Sequence, residues 1–332
     1  MTDAARAPRR AALIVNPVKA DAPKLSELVR TLSAASGWGP PEIVETSIED
    51  PGQEATRRAL SDGADAVLVA GGDGTVRAVS EAMAGSGVPL AIVPSGTGNL
   101  LARNLGLPLN DQETVVRAVF TQEAHPVDIG WAEVTREDGA QSEHAFVVLA
   151  GIGLDADMIS NTRADLKKSV GWVAYVDGAA RSLPGARPFR VVYAVDDDRL
   201  HSVKIHSMLF ANCGTLPAGI SLIPDASITD GDLDVVVVPA RGPFGWLAVW
   251  RTVWWQNSVL RRTRAGRRIV ELSGPSRSVR FLRGRDAEVA TAGPIPIELD
   301  GDEFGEAVRM RCRIEEGALR IVLPASVDTG AL

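Results

Sequence analysis

The chain has 332 residues, 45% of them hydrophobic and 23% charged, with a net charge of −7. That length suits two domains with separate cores, and the acidic balance excludes a molecule built as a whole to hold nucleic acid. Two cysteines, Cys213 and Cys312, give no disulfide framework; the apolar run before Pro17 is too short for a secretory signal, and no uninterrupted apolar stretch of about 18 residues could span a bilayer.

From the N-terminus, "AALIV" (11–15) reads as a buried strand entering "NPVKAD", followed by a helix from Lys24 to about Ala35. "PEIVETS" is a second strand and Glu54 to Ser61 a second helix. "ADAVLVAGG" is a third strand, whose continuous apolar run suits a parallel sheet covered on both faces. "VRAVSEAM" returns to helical periodicity, with Val76, Val79, Ser80 and Met83 on one side. "PLAIVPSGTGN" runs from a fourth strand into a loop, and "ETVVRAVF" is another helix. The alternation predicts an α/β N-terminal domain over 1–127, a parallel sheet with flanking helices. After Pro126 come short β-rich runs: "VDIGWAEV", "EHAFVVLAGIG", "FRVVYAV", "KIHSMLFAN", "DLDVVVVPA", "RIVELSG", "SVRFL", "IPIELDGD" and "LRIVLP". They predict a β-rich, sandwich-like domain over 128–313, with 314–332 returning to the first domain and helical inserts near 162–182 and 243–261.

In an open parallel sheet, ligands sit beyond the carboxyl ends of the strands. "AGGDGT" and "PSGTGN" both follow apolar strands and so open onto the same edge. Their glycines expose successive backbone N–H groups, and the helix N-termini that follow favour anions. Thr75 and Thr97 add hydroxyl donors. Asp73 repels a phosphate unless Mg²⁺ stands between them, or unless it accepts a proton or hydrogen bond from a substrate hydroxyl. A tight turn with an Asp helix cap would explain one such loop. Two loops at equivalent strand ends, together with "NPVKA" at a third, point to a phosphate site.

The ordered set "NPVKA", "GGDGTVRAVSEAM", "PSGTGNLLARNLGLP", "GIGLDADMI", "TDGDLDV" and "ELDGDEFGE" resembles the diacylglycerol kinase catalytic-domain family, from about Ala12 to Pro324. That family groups bacterial lipid kinases with sphingosine and ceramide kinases. "GGDGT" alone is shared with NAD kinases and, more loosely, phosphofructokinases; its pairing with "PSGTGNLLARNLGLP" points to the lipid branch. The resemblance implies an NAD kinase/diacylglycerol kinase-like fold and ATP-dependent phosphorylation of a lipid hydroxyl, diacylglycerol or a related lipid. By position, Asn16, Pro17, Val18, Lys19, Ala20, Thr46, Gly71, Gly72, Asp73, Gly74, Thr75, Val76, Arg77 and Thr97 line the nucleotide site. Two of these depart from the family: Lys19-Ala20 replaces small residues such as Ser-Gly, and Arg77 replaces a common Asn.

In bacterial members a D-G-E motif supplies the general base, which maps onto Asp300; sphingosine kinases instead assign the base to the loop Asp, here Asp73. The favoured assignment is Asp300 as base, acting as the O–P bond forms, and Asp73 as organiser of Mg²⁺·ATP. A polar Asp-Gly turn is the other reading of Asp300. Asp302 stands where the family has Glu, and Glu303 follows. "SLIPDASITDGDLDVVVV" is similar to a structural Mg²⁺ loop whose ligands map onto Ser227, Asp230 and the Asp232 carbonyl, with Asp234 nearby; an Asp-Gly turn before a strand reads equally well. Asp155 resembles a head-group contact of sphingosine kinases, and with Asp302 completes the expected substrate residues.

In "GWLAVWRTVWWQNSVLRRTRAGRR", Trp246, Trp250 and Trp254 share a helical face, and the stretch turns basic at Arg261, Arg262, Arg264, Arg267 and Arg268. It suits either an anionic membrane surface or packing on the β domain. The expectation is a cytoplasmic protein in peripheral contact with the inner face of the membrane, acting on a lipid and no nucleic acid, its oligomeric state open, a homodimer included. Two alternatives stand beside the lipid kinase: a soluble metabolite kinase of NAD kinase type, and a nucleotide- or lipid-binding regulator without catalysis.

Overall fold

The computed structural model describes residues 8–153, 188–196, 198–216, 220–221, 223, 226–239 and 280–332. Both helical inserts, Asp155 and the Trp/Arg segment lie outside the described residues. The chain divides into two compact units, Met1–Ile129 with Glu316–Leu332, and Gly130–Glu315.

In the first unit, β1 (Ala11–Val15), α1 (Ala22–Ala35), β2 (Glu42–Glu45), α2 (Gln53–Ser61), β3 (Ala66–Gly71), α3 (Asp73–Met83), β4 (Pro89–Pro94), the short α4 (Leu100–Asn104) and α5 (Gln112–Thr121) follow in order. β2, β1, β3 and β4 pair side by side and all run parallel. Because a parallel sheet is covered on both faces, β1 is buried at all five positions and β3 at all six. Leu13, Leu68, Ala91 and Val93 pack with Leu25 and Val29 of α1 and Val115 and Val119 of α5. On the other face Ala12 meets Ala59 of α2. Side-chain carboxylates start the helices: Asp21 accepts the Lys24 N–H, Asp111 that of Thr114, and Asp50 those of Gly52, Glu54 and Ala55.

The chain passes between units within β5 (Ala124–Thr135) and again within the last strand. The second unit holds β6 (Gln141–Phe146), β7 (Leu149–Ile152), β8 (Phe189–Val195), β9 (His201–Ala211), the short β10 (Thr215–Leu216) and β11 (Ile220–Ser221), β12 (Leu233–Pro239), β13 (Arg280–Gly284), β14 (Asp286–Leu299) and β15 (Asp302–Val322). Its pairings are antiparallel. β7 and β8 lie in succession between the two long strands β9 and β14. β12 flanks β9, and β13 flanks β12. Phe146, Tyr193, Met208, Phe210, Val235, Val289 and Met310 fill the core. The end of β15 returns to the first unit, where Arg320 and Ile321 pair parallel with Pro89 and Leu90 of β4.

Three differences from the sequence reading have local causes. "EHAFVVLAGIG" is two strands, because the N–H groups of Val147, Val148 and Leu149 all turn to the Asp300 carboxylate. β14 begins at Asp286, although Gly293 and Pro294 interrupt its apolar pattern; the register shifts there. β15 is 21 residues long, and its charged first part conceals the buried Ala307, Met310 and Cys312. Among the described residues, no helix is long and apolar enough to cross a membrane.

Gly130 on β5 pairs with Phe146 on β6, and a Cβ at Gly130 would run into the Phe146 ring. Gly130→Ala is expected to destabilise the protein by about 1–3 kcal/mol, measured by denaturant unfolding; an unchanged midpoint would show that the ring can move aside.

Candidate active site

Because β1, β3 and β4 are parallel, the three loops that follow them share one edge of the first unit. The loops are tied together by named bonds. The Asn16 backbone N–H donates to the Ala70 carbonyl at 2.8 Å, and its side-chain amide reaches Thr75 Oγ1 at 3.4 Å. Its Oδ1 accepts the Val18 N–H at 3.0 Å, while Lys19 and Ala20 donate to its carbonyl. Asp73, the first residue of α3, accepts the Leu100 N–H at 2.6 Å and so joins the second glycine loop. A Cβ at Gly96 would lie 3.0 Å from Gly72 Cα and 3.3 Å from the Gly71 carbonyl, so the two loops touch backbone to backbone. A Cβ at Gly98 would collide with the Asp73 carboxylate.

Sequence reasoning passed over Asn99, which holds this shape. It sits in the left-handed region at φ 49°, and its side-chain amide both accepts from Gly96 N–H and donates to Gly96 carbonyl, each at 2.9 Å. An Asn closing a Gly-rich loop was the available signal. Gln112 of α5 supports the loop by donating to the Pro94 carbonyl.

Of the expected nucleotide residues, Asn16 to Ala20, Gly72 and Thr97 fall on these loops, with Thr97 exposed; Gly71 ends β3, and Asp73, Gly74 and the buried Thr75 open α3. Thr46 follows β2 and donates its N–H to the Val15 carbonyl. The Lys19 Cε lies 4.0 Å from where a Gly72 Cβ would stand, which lays a cation along the first glycine loop. Val76 has a buried side chain, and its N–H bonds the Gly72 carbonyl. Arg77 is likewise buried within α3.

In the second unit, Asp300 and Gly301 form the two-residue turn between β14 and β15, both with positive φ (51° and 87°), as an Asp-Gly hairpin turn requires. Asp300 is 3% exposed. Its carboxylate accepts three backbone N–H bonds, from Val147 at 2.8 Å, Val148 at 2.8 Å and Leu149 at 2.9 Å. Asn212 secures the same bend by donating its backbone N–H to the Val148 carbonyl and its amide to that of Val147. Three backbone N–H groups of one bend thus converge on the carboxylate of the expected base. Asp302 opens β15 and is exposed.

The expected Mg²⁺ loop, with Ser227, Asp230 and Asp232, lies beside an arginine. Arg283 stands opposite Asp234 across β12 and β13, bonding it through Nε at 3.1 Å and Nη2 at 3.2 Å. The same guanidinium lies 3.6 Å from Asp230 and 4.0 Å from Asp232. Asp230 also accepts the Asp232 N–H, and Ser227 bonds Thr229. Burial pushes the Asp234 carboxyl up against the pull of Arg283, with Asp230 and Asp232 adding to the push. Among the described residues no group of three or more His, Cys, Asp or Glu side chains is arranged to hold a metal ion. Arg283 therefore faces the carboxylates of Asp230, Asp232 and Asp234, while the Ser227 hydroxyl bonds Thr229.

Two predictions follow from these contacts. Asp73→Ala removes a charge-assisted bond between loops and should cost about 1.5–3 kcal/mol, whereas Asp73→Asn keeps an acceptor for Leu100 and should cost less, both read from unfolding curves. Arg283→Met should cost roughly 1–3 kcal/mol, below the value for a fully buried pair because the arginine is partly exposed. It should also make the melting temperature rise with Mg²⁺, while the unaltered protein without nucleotide melts alike in Mg²⁺ and in chelator. A wild-type protein strongly stabilised by Mg²⁺ would restore the metal loop.

Comparison with known proteins agrees in both units. The family described as diacylglycerol kinase catalytic domain matches residues 10–132, and that described as YegS C-terminal NAD kinase beta sandwich-like domain matches 147–323. The chain is 30% identical over 311 residues to the Pseudomonas aeruginosa (strain UCBPP-PA14) protein named "Probable lipid kinase YegS-like", covering 90% of this chain and 91% of that one. It is 27% identical to the Bacillus subtilis (strain 168) diacylglycerol kinase, over 69% of this chain and 74% of that one. Among solved structures, a diacylglycerol kinase from Bacillus anthracis superposes with TM-score 0.64 at 20% identity (97% and 99% covered), and yeast NADH kinase with TM-score 0.53 at 11% (95% and 83%). These likenesses in structure are likenesses of fold. With glycine loops, β-rich unit and near-full-length relatives in agreement, the chain belongs to the YegS-like and diacylglycerol kinase family of lipid kinases.

Proposed function

We propose that the protein transfers the γ-phosphate of ATP to the hydroxyl of a membrane lipid, diacylglycerol or a lipid of that class. The observation that carries this reading is the tie between the two glycine loops, Asp73 to Leu100 and Gly96 against Gly72, at the ends of parallel strands. Bare backbone at a strand end and at the start of α3 is a cradle for an anion as long as a triphosphate. Lys19 brings a positive charge to the same loop, in place of the small residue usual in the family. Mg²⁺ would arrive with the nucleotide and neutralise charge on its phosphates, and Asp73 is the carboxylate at this loop that would face it. The relatives' names support a lipid acceptor. Such an acceptor resides in a bilayer, so this reading makes the chain a peripheral visitor to the cytoplasmic face, with the Trp/Arg segment as the sequence's candidate for contact.

The test is phosphate transfer from radiolabelled ATP to mixed micelles of detergent and diacylglycerol, followed by lipid extraction. The wild-type protein should yield a labelled acidic lipid. Gly96→Ala, which forces backbone against backbone, should weaken ATP binding about tenfold or more, equivalent to about 1.4 kcal/mol, with a much smaller change in melting temperature. Label transferred to NAD and to no lipid would replace this reading with the metabolite kinase.

A further inference from the structure

Beside its glycine loops the first unit carries a cation that the fold does not use. The Lys19 side chain is exposed and has no hydrogen bond or ion pair among the described residues. The turn that carries it is nevertheless fixed. The Asn16 carbonyl accepts the Lys19 and Ala20 N–H groups at 3.1 and 3.0 Å, and the Asn16 N–H is bonded to Ala70 of β3. From that turn the lysine stem crosses to the start of α3, where its Cε lies 4.0 Å from where a Gly72 Cβ would stand. Beyond Gly72 and its chain neighbours, no other heavy atom of the described residues comes within 4 Å of that position, so the space over Gly72 is bordered by the lysine and otherwise open. Two arginines of the same region are placed differently: Arg77 is buried within α3, and Arg103 donates its Nε–H to the Gly98 carbonyl at 2.7 Å.

An ammonium beside bare backbone adds a full charge to a cradle whose N–H groups supply only partial ones. Its attraction grows with each phosphate that comes within a few ångströms, whereas contacts to a base or a ribose do not depend on phosphate number. A lysine is a flexible point charge, but here the turn holds its root, so less freedom is lost when it engages a ligand. We propose that Lys19 is a specificity-determining residue that reads the phosphate count of the nucleotide. Its ammonium donates to the terminal phosphate oxygens lying over Gly72, which favours the triphosphate over the diphosphate and sustains binding without a divalent cation. The proposal rests on the phosphotransfer reading above and deepens it, because the same contact separates the substrate ATP from the product ADP. As the γ-phosphate is transferred, the nucleotide loses charge and the lysine holds it less tightly.

Calorimetric titration of the full chain with AMP, ADP, ATP and inorganic tripolyphosphate, in chelator and in Mg²⁺, reads the phosphate dependence directly. Lys19→Met keeps an unbranched stem against Gly72 and removes the charge. In chelator this variant should bind ATP and tripolyphosphate about tenfold more weakly than wild type or worse, ADP with a smaller loss, and AMP alike. Lys19→Arg should recover most of the loss. Because the lysine side chain is exposed and unbonded, both variants should melt at the wild-type temperature, which separates weaker binding from unfolding. A Lys19→Met protein that binds ATP within about twofold of wild type overturns the proposal. An equal loss for AMP and ATP also overturns it, since that marks a general disturbance of the loop. A bilayer offers phosphate too, so pelleting with phosphatidylglycerol vesicles is the contrasting arm. Unchanged pelleting of Lys19→Met supports the proposal; a loss there with nucleotide affinity intact overturns it and moves Lys19 to the membrane surface. Wild-type protein that binds none of the nucleotides would instead sink the phosphotransfer reading, and this assignment with it.

Discussion

Gly96 stands so close to Gly72 that a methyl group on it would lie 3.0 Å from the Gly72 Cα and press the loops apart, and Asp73 reaches from the start of α3 to the backbone of the second glycine loop. The nucleotide half of the chemistry depends on this approach. Each loop alone is a turn at the end of a strand. Held together, they present unshielded backbone over a distance that suits several phosphate groups and one helix start. The tie uses a charged acceptor, so it is short and directional, and it is repeated in neutral form where Asn16 meets Thr75 and Asn99 closes on Gly96. The two loops are thereby fixed by side chains that leave the glycines bare.

The second unit shows the same economy with carboxylates. Asp300 is almost wholly buried, which would be prohibitive for a lone charge; three N–H bonds from one bend compensate it. That bend is the break between β6 and β7, so one side chain ends a strand, starts another and shapes the β14–β15 hairpin. Asp234 is held by the cross-strand Arg283, which also faces Asp230 and Asp232. An arginine is permanently charged and presents a planar fork, so it can neutralise a cluster of oxygens without the exchange that a bound metal undergoes. Glu298 has neither kind of partner.

The family relation fits this division of labour. A similar fold at 11% identity to yeast NADH kinase shows how little side-chain identity the framework requires.

Much of the fold was legible along the chain. Continuous apolar runs such as "ADAVLVAGG" and helical repeats such as "VRAVSEAM" are local signals, and each became the element it indicated, β3 and α3. The glycine loops were legible for a related reason, since bare backbone after a buried strand has few uses. What the sequence could not hold is which groups meet. Asp300 in a D-G turn looks the same whether its oxygens face a substrate or three N–H groups drawn from residues about 150 positions away. Asp230 and Asp232 spell a metal loop until β13 brings Arg283 beside them. Glu298 is one acid among several until the register places it between a glycine and another glutamate. The sequence by itself determined the elements and the anion loops, because periodicity and backbone freedom are properties of neighbouring residues. Only the tertiary structure decided which carboxylates are engaged, because desolvation and pairing arise from residues that are distant in the chain and adjacent in space.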